Sequence, residues 1–296
     1  MNLRKSCLSP GWYPQNPAKI DEFLREFIVK HTPKKNSAED LIAAVAPHAG
    51  WYYSGAIAAR AVAALAASPA YLTDTIAVIG GHNPGNNPVL FASEEAVQTP
   101  LGPMEIDTEL CNAFISRLQK AGDLGSSEDR YQDNTIEVLL PMVKYFFPKS
   151  KLLWLRFPAD IRSVNAGKIL ADCAEYLYRK MLVVGSADLT HYGMNYRFSP
   201  KGSGKQALEW VKNVNDKRFI DAVLAGDTNA VLERAEREQS SCSAGAVLGV
   251  MGFAQSAGKS SSKAVLVDYS TSADIMIDAG EALPDSFVGY ASFTWT

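Results

Sequence analysis

Asp40-Leu-Ile-Ala-Ala-Val-Ala-Pro47-His48-Ala49-Gly50-Trp51-Tyr52-Tyr53-Ser54-Gly55, continuing through an alanine-rich stretch to Ala67, is where the fold can be read. Residues 40–47 are short, apolar and stopped by proline, which predicts a buried strand. The stretch from Gly55 to Ala67 has no interior proline or glycine and predicts a closely packed helix. The glycines between them let the backbone turn and approach a ligand. The segment is therefore a strand–loop–helix junction, with a histidine just past the strand.

The same grammar recurs outward from it. Further strands are expected at Thr75–Gly80, Lys151–Phe157, Lys180–Ser186 and Lys263–Tyr269, the first and third of them buried, with a last, alternating strand from Phe287 to Trp295 at a sheet edge. Helices are expected at Asp107–Ala121, Thr135–Phe147, Ala166–Tyr178 and Ala244–Ala257, with Pro141 at a kink or an early turn. Residues 83–105 predict a long loop with a hairpin, and residues 199–238 a charged, helix-rich region. Upstream, Ile20, Phe23, Leu24, Phe27 and Ile28 mark one face of a helix beginning near Pro17, followed by a polar loop from His31 to Glu39. Strands separated by helices give an α/β fold with a central mostly parallel or mixed sheet flanked by helices. No linker interrupts the pattern, so residues 1–296 are expected to form one domain.

Composition narrows the class. The chain has 296 residues, 47% hydrophobic and 21% charged, with a net charge of −3. No apolar run approaches the roughly 20 residues of a membrane-spanning helix, and Met1–Pro14 lacks a signal-peptide core. A mildly acidic chain without basic clusters is a poor nucleic-acid binder. The cysteines Cys7, Cys111, Cys173 and Cys242 are scattered, with no CxxC pair, which predicts neither disulfides nor a zinc finger and points to a reduced, cytoplasmic protein.

There are only 4 histidines: His31, His48, His82 and His191. The last three each follow a predicted buried strand at its C-terminal end, the edge at which open α/β sheets bind ligands. A capping role accounts for any one of them equally well; three together favour a shared site. Asp188, three residues before His191, could orient a histidine, ligate a metal or cap a turn. Cys242 precedes the apolar helix from Ala244, and a helix N-terminus favours the thiolate. The other cysteines read as core or neutral positions. Two chemistries fit these residues. One is a mononuclear metal site with two imidazoles and a thiolate, leaving positions open for substrate. The other is a Cys–His hydrolase with Cys242 activated by a histidine that Asp188 orients; it leaves two histidines unexplained. Gly202-Ser-Gly-Lys205 imitates a phosphate loop, but Ser199 stands where the first glycine belongs and no buried strand precedes it, so it reads as a surface loop.

Seven stretches, in order, resemble the Memo family: Gly11-Trp12-Tyr13-Pro14, Pro47 to Gly55, Ile79-Gly-Gly-His82, Thr99-Pro-Leu-Gly102, Ile136-Glu-Val-Leu-Leu-Pro141, Ser186-Ala-Asp-Leu-Thr-His-Tyr192 and Ser241-Cys-Ser-Ala-Gly245. The resemblance implies a fold similar to the class III extradiol dioxygenases, which use non-haem Fe(II). It implies His48, His82 and Cys242 as metal ligands, with Fe(II) expected first and copper or zinc as alternatives. His191 would stand at the acid–base position, with Asp188 beside it. Animal relatives are linked to motility signalling and phosphotyrosine-peptide binding, and bacterial and archaeal ones to a radical-SAM partner protein. Two departures concern the cleft: Asp133-Asn134-Thr135 stands where relatives often carry Glu-His-Ser, and Gly-Gly-His-Asn where they often carry Gly-Pro-Asn/Ser-His.

Three functions follow as expectations. The first is a metal-dependent, dioxygenase-like oxidoreductase in which Trp12, Trp51 and Tyr52 wall a cleft for a planar small molecule or peptide ring. The second is a non-enzymatic module holding a peptide, partner or metal in the same cleft. The third is the Cys–His hydrolase.

Overall fold

A computed structural model describes residues 2–31, 40–68, 73–258 and 262–296, with residues 27–31 described by backbone alone. The predicted loop at residues 32–39 and the side chains of Phe27, Ile28 and His31 lie outside the described residues.

The strands are β1 (Leu3–Arg4), β2 (Ala43–Ala46), β3 (Thr75–Gly80), β4 (Val89–Phe91), β5 (Ala96–Val97), β6 (Met104–Glu105), β7 (Ser126–Glu128), β8 (Lys151–Arg156), β9 (Met181–Ser186), β10 (His191–Tyr192), β11 (Ala264–Thr271) and β12 (Phe287–Trp295). The helices are α1 (Pro17–His31), α2 (Ala56–Ala67), α3 (Thr108–Ala121), α4 (Asn134–Glu137), α5 (Leu140–Phe146), α6 (Arg162–Tyr176), α7 (Lys205–Trp210), α8 (Asp216–Ala225), α9 (Thr228–Glu238), α10 (Ala244–Ala257) and α11 (Ser272–Asp278).

One mixed sheet has the order β10-β12-β2-β9-β3-β8-β4-β7, with β11 also paired to β12. Its centre, β2-β9-β3-β8, is parallel throughout. Alternate residues of these strands feed two cores, which is why β2, β3 and β9 read as unbroken apolar runs. Val45, Ile79, Leu155 and Val183 pack with Phe114 of α3, Leu170 of α6 and Val247 of α10. Ala44, Val78, Leu152 and Val184 pack with Leu24 of α1, Val62 of α2 and Val143 of α5. Helices thus cover both faces, and all four parallel strands end on the same edge. Residues 83–105 contain a short antiparallel pair, β5 with β6, as the hairpin reading predicts.

Three boundaries differ from the sequence reading. The helix after His48 starts early: Trp51–Gly55 forms a π-helical turn that runs into α2. Ser54 Oγ donates to the Ala49 carbonyl at 3.0 Å, tying the wide turn to the loop behind it. The Thr135–Phe147 helix is broken into α4 and α5, with Pro141 in the first turn of α5, where its missing N–H costs no bond. The last strand is not at an edge. β12 is buried along its whole length between β2 and β10 on one side and β11 on the other. Its small residues permit this: a Cβ on Gly289 would run into the Asp216 carboxylate. The edge strand is β11, whose Val265 and Leu266 stay exposed.

The candidate phosphate loop is an exposed turn with Gly202 and Gly204 at positive φ, leading into α7, as a surface reading predicts. Among the described residues no helix is long and apolar enough to cross a membrane.

Candidate metal centre

Three of the parallel strands deliver the site. His48 follows β2, His82 follows β3, and Asp188 follows β9 with His191 starting β10. Cys242 comes from another direction, just before α10. A ligand atom each from His48, His82 and Cys242 lies within 4.8 Å of the others. The rings of His48 and His82 meet edge to face, centroids 4.9 Å apart.

Hydrogen bonds fix which nitrogen of each ring is free. Ser186 Oγ spends its one proton on the Thr135 carbonyl. It can therefore only accept from His48 Nδ1, 2.9 Å away. That leaves His48 Nε2 as the ligating nitrogen, 3.3 Å from Cys242 Sγ. His82 Nδ1–H donates to Asp133 Oδ2 at 3.0 Å, which leaves Nε2 to face Cys242. Such outer partners orient ligating imidazoles and raise their basicity. Asp133 is held in turn by the Thr135 N–H at 2.9 Å and by the Thr135 hydroxyl.

The protonation pattern follows from the same contacts. Burial opposes a thiolate at Cys242, but the charges and hydrogen bonds of His48 and His82 outweigh it and hold the thiol well below its usual range. Burial likewise opposes an imidazolium at His82, yet Asp133 and Cys242 push the ring up to about 10. His48 is raised as well: its burial is overcome by Asp188 and Cys242. Asp188 is raised because it is buried, against the pull of His48. Its Oδ1 takes the His48 backbone N–H at 2.7 Å, and its backbone carbonyl takes the Ser241 hydroxyl at 2.9 Å. Asp188 thus joins the His48 turn to the Cys242 turn without itself entering the ligand group.

The donor set suits a transition metal: two borderline nitrogens and one soft sulfur. Ligands about 2.0–2.3 Å from a shared ion sit roughly 3–4 Å apart, close to the separations observed. His191 stands beside this set. Its Nδ1–H donates to the Leu189 carbonyl at 3.1 Å, leaving Nε2 as an acceptor, and its ring packs on Tyr196, centroids 4.9 Å apart.

His48, His82, Asp188 and His191 line a cleft of about 720 Å³. Trp12 and Tyr52 wall it, as do Tyr53, Tyr196 and Tyr290. Trp51, expected in this wall, lies elsewhere. It is buried in the core against Phe23, and its indole N–H is satisfied by the Val138 carbonyl at 2.9 Å. The π-helical turn rotates Tyr52 and Tyr53 outward and Trp51 inward.

Several participants were not foreseen from sequence. Asn134 Nδ2 donates to the His48 carbonyl at 3.0 Å. Glu137, buried, accepts the Cys7 and Leu8 N–H groups at 2.8 and 3.0 Å and the Tyr13 hydroxyl at 2.9 Å. It thereby anchors the N-terminal segment that carries Trp12 over the cleft, and Trp12 O accepts the Trp51 N–H at 2.7 Å. An acidic residue inside the apolar run Ile136-Glu-Val-Leu-Leu was the available signal.

The model of the Memo-like protein family matches residues 4–294, and the chain belongs to that family. A MEMO1 family protein of Methanosarcina mazei is 27% identical over 99% of this chain and 98% of its own length. One from Pyrococcus abyssi is 29% identical over 98% of each. A solved structure of an uncharacterized protein from Escherichia coli K12 aligns with a TM-score of 0.48 at 12% identity, covering 86% of this chain and 99% of that one, a likeness too low to establish a shared fold.

Proposed function

We propose that the protein is a metal-dependent oxidoreductase that binds one Fe(II) ion at His48, His82 and Cys242 and acts on an uncharged aromatic ring. Copper or zinc is the alternative occupant. The carrying observation is that both imidazoles have their Nδ1 atoms engaged elsewhere and their Nε2 atoms turned to one thiolate-prone sulfur. Bound iron or copper would supply open positions for substrate and dioxygen together with a redox couple, whereas zinc would supply only a Lewis acid. The chain's own groups do the rest. His191 Nε2 is placed to take a proton from a substrate hydroxyl, a task for which imidazole basicity suits neutral pH. Tyr52, Tyr53 and Trp12 offer faces for an aromatic ring. The lining includes no lysine or arginine among the described residues, so the end of the ligand away from the ligand cluster has no cation to hold a carboxylate or phosphate.

A second reading has its own support. Cys242 Sγ 3.3 Å from His48 Nε2 is also the pairing of a cysteine hydrolase, with Ser186 rather than Asp188 on the ring's other nitrogen and Asp188 on the His48 backbone N–H. Metal analysis of anaerobically purified protein, followed by oxygen uptake on catechol and on 3,4-dihydroxybenzoate, separates the readings. One equivalent of iron and uptake on catechol in preference to the acid supports the proposal. Bound metal without uptake on either ring leaves a binding module. Absence of metal, together with rapid selective alkylation of Cys242, points to the hydrolase.

A further inference from the structure

His82 has φ +50, a left-handed conformation in which a Cβ crowds the following carbonyl and which a residue bearing one adopts only under constraint. A candidate ligand in this conformation must be held there. On one side the turn is pressed against the start of α10, where a Cβ on Gly81 would collide with Ser243. On the other side stands Arg156, the last residue of β8, with a side chain only 5% exposed. Its Nε donates to the Gly81 carbonyl at 2.9 Å and its Nη2 to the His82 carbonyl at 3.0 Å. These carbonyls belong to the two peptide planes that flank the His82 Cα, so one guanidinium fixes both planes. The same Nη2 lies 3.4 Å from Asp133 Oδ2, the atom facing His82 Nδ1. The remaining Nη1 is matched by Asp129 Oδ1 at 3.3 Å, and Asp129 is itself held by the Trp154 indole N–H at 2.8 Å. The planar fork of arginine suits this divided duty, and lysine, a point charge, cannot reproduce it.

We propose that Arg156 is the positioning residue of the metal centre, presetting both the backbone and the ring of His82 so that Nε2 meets the other two ligands without reorganisation. The proposal rests on the reading of His82 as a ligand. It does not depend on which reaction, if any, the metal supports.

The test is cobalt(II) affinity of the full-length protein, measured by chelator competition and by the thiolate-to-cobalt charge-transfer band. Variants are Arg156→Lys, His82→Ala and the double substitution, each checked for folding by circular dichroism. Outer partners of metal ligands typically contribute about 10–100-fold in affinity, and a loss of that size is expected for Arg156→Lys. The charge-transfer band should persist, because Cys242 still binds. In the His82→Ala background the same substitution should change affinity less than about twofold, since Arg156 acts through His82. Equal losses in both backgrounds, or no loss in the single variant, overturn the positioning role. If His82→Ala itself leaves affinity unchanged, the ligand reading has failed and the proposal with it. Should Arg156→Lys not fold, Arg156→Gln, which keeps donor groups without the charge, is measured in the same two backgrounds.

Discussion

The central parallel strands have a hollow at either end, one at the starts of β3, β8 and β9 and one past the ends of β2, β3 and β9, and the two hollows differ in kind. The one at the N-terminal tips is the larger, about 1060 Å³ against 720 Å³, and it is richer in charge, with Lys149, Lys151, Arg179 and Lys180 in its wall. Two of its ionic groups, Asp107 and Arg179, are paired with each other and with local partners. Asp107 caps α3 through the Leu110 N–H at 3.1 Å and accepts Thr75 Oγ1 at 2.6 Å, while Arg179 pairs with Asp107 at 3.2 Å and also with Glu109. At the C-terminal tips the scarce residue types converge instead, with their lone pairs turned toward one another. Size and charge therefore do not mark the site. Convergence of donors whose other bonds are already satisfied does.

The comparison breaks most visibly if metal binding ignores it. Cys242→Ala or His48→Ala should abolish stoichiometric metal in protein purified without oxygen, as read by elemental analysis. Asp107→Asn at the other tip should retain a full equivalent. Metal that survives in Cys242→Ala would mean that the sulfur is not a ligand.

Next in size is the reactivity of that sulfur in metal-free protein. Cys242 is held well below the ordinary thiol range, whereas burial first, and Glu137 next, push Cys7 up to about 11, and burial pushes Cys111 up to about 12. Alkylation of Cys242 by iodoacetamide should be nearly flat between pH 6 and 9, while a free thiol accelerates roughly tenfold per pH unit until its pKa near 8.5. Loading cobalt should suppress the reaction. A tenfold rise per unit at Cys242 would show an unperturbed thiol and remove the electrostatic contrast between the two tips.

The parts of this arrangement that could be read from sequence share a cause. β2, β3 and β9 are sandwiched between helices, so Ala43–Ala46, Thr75–Gly80 and Met181–Ser186 are continuous apolar runs, and His48 and His82 stand out at their ends. The residues that make those histidines usable did not stand out. Ser186, Thr135 and Asp133 are common types whose roles arise only when β9, α4 and the β3 turn meet in space. Arg156 left a fainter mark, a charge closing the apolar run Leu152-Leu-Trp-Leu155. Trp51 misled because neighbouring aromatics in a turn look equivalent until the π-helical geometry sorts them inward and outward. β12 misled because its alternating pattern looks like an exposed edge, when in fact its small residues admit Asp216 on one face.

Asp216 gives a smaller effect from the same end of the sheet. Burial raises this carboxyl to about 7, despite hydrogen bonds from the Thr190 hydroxyl, the Tyr269 hydroxyl and the Thr190 N–H. The Thr190 it holds immediately precedes His191. A folded-state pKa above the ordinary value of 3.8 means that the neutral acid stabilises the fold at low pH and that this contribution fades as pH rises through 7. Three pH units of displacement correspond to at most about 4 kcal/mol. Urea unfolding should therefore show wild-type protein losing stability between pH 4 and 8 relative to Asp216→Asn, by on the order of 2–4 kcal/mol. Parallel profiles for the two proteins would show that the carboxyl is ionised throughout and is paid for by its three donors.

The smallest effect belongs to the N-terminal tip, and it sharpens the contrast because it should stay there. Arg179 has a side chain 27% exposed, and its pair with Asp107 is partly screened by water. Arg179→Gln should cost about 0.5–1 kcal/mol in low salt and less in high salt. Asp107 is held below its usual range, against its own burial, by Thr75, the Leu110 N–H and Arg179. A lowered folded-state pKa contributes stability above the ordinary value of 3.8 that is lost as pH falls through the folded value, so the difference between wild type and Arg179→Gln should shrink in acid. Urea unfolding at pH 7 and at pH 2.5, each at two salt concentrations, measures this directly. Cobalt affinity of the same variant should equal that of wild type, because no hydrogen bond of Arg179 reaches the tips where His48 and His82 sit. A change in that affinity would mean that the strands transmit strain from one end to the other, and the two hollows would then have to be treated as one coupled system.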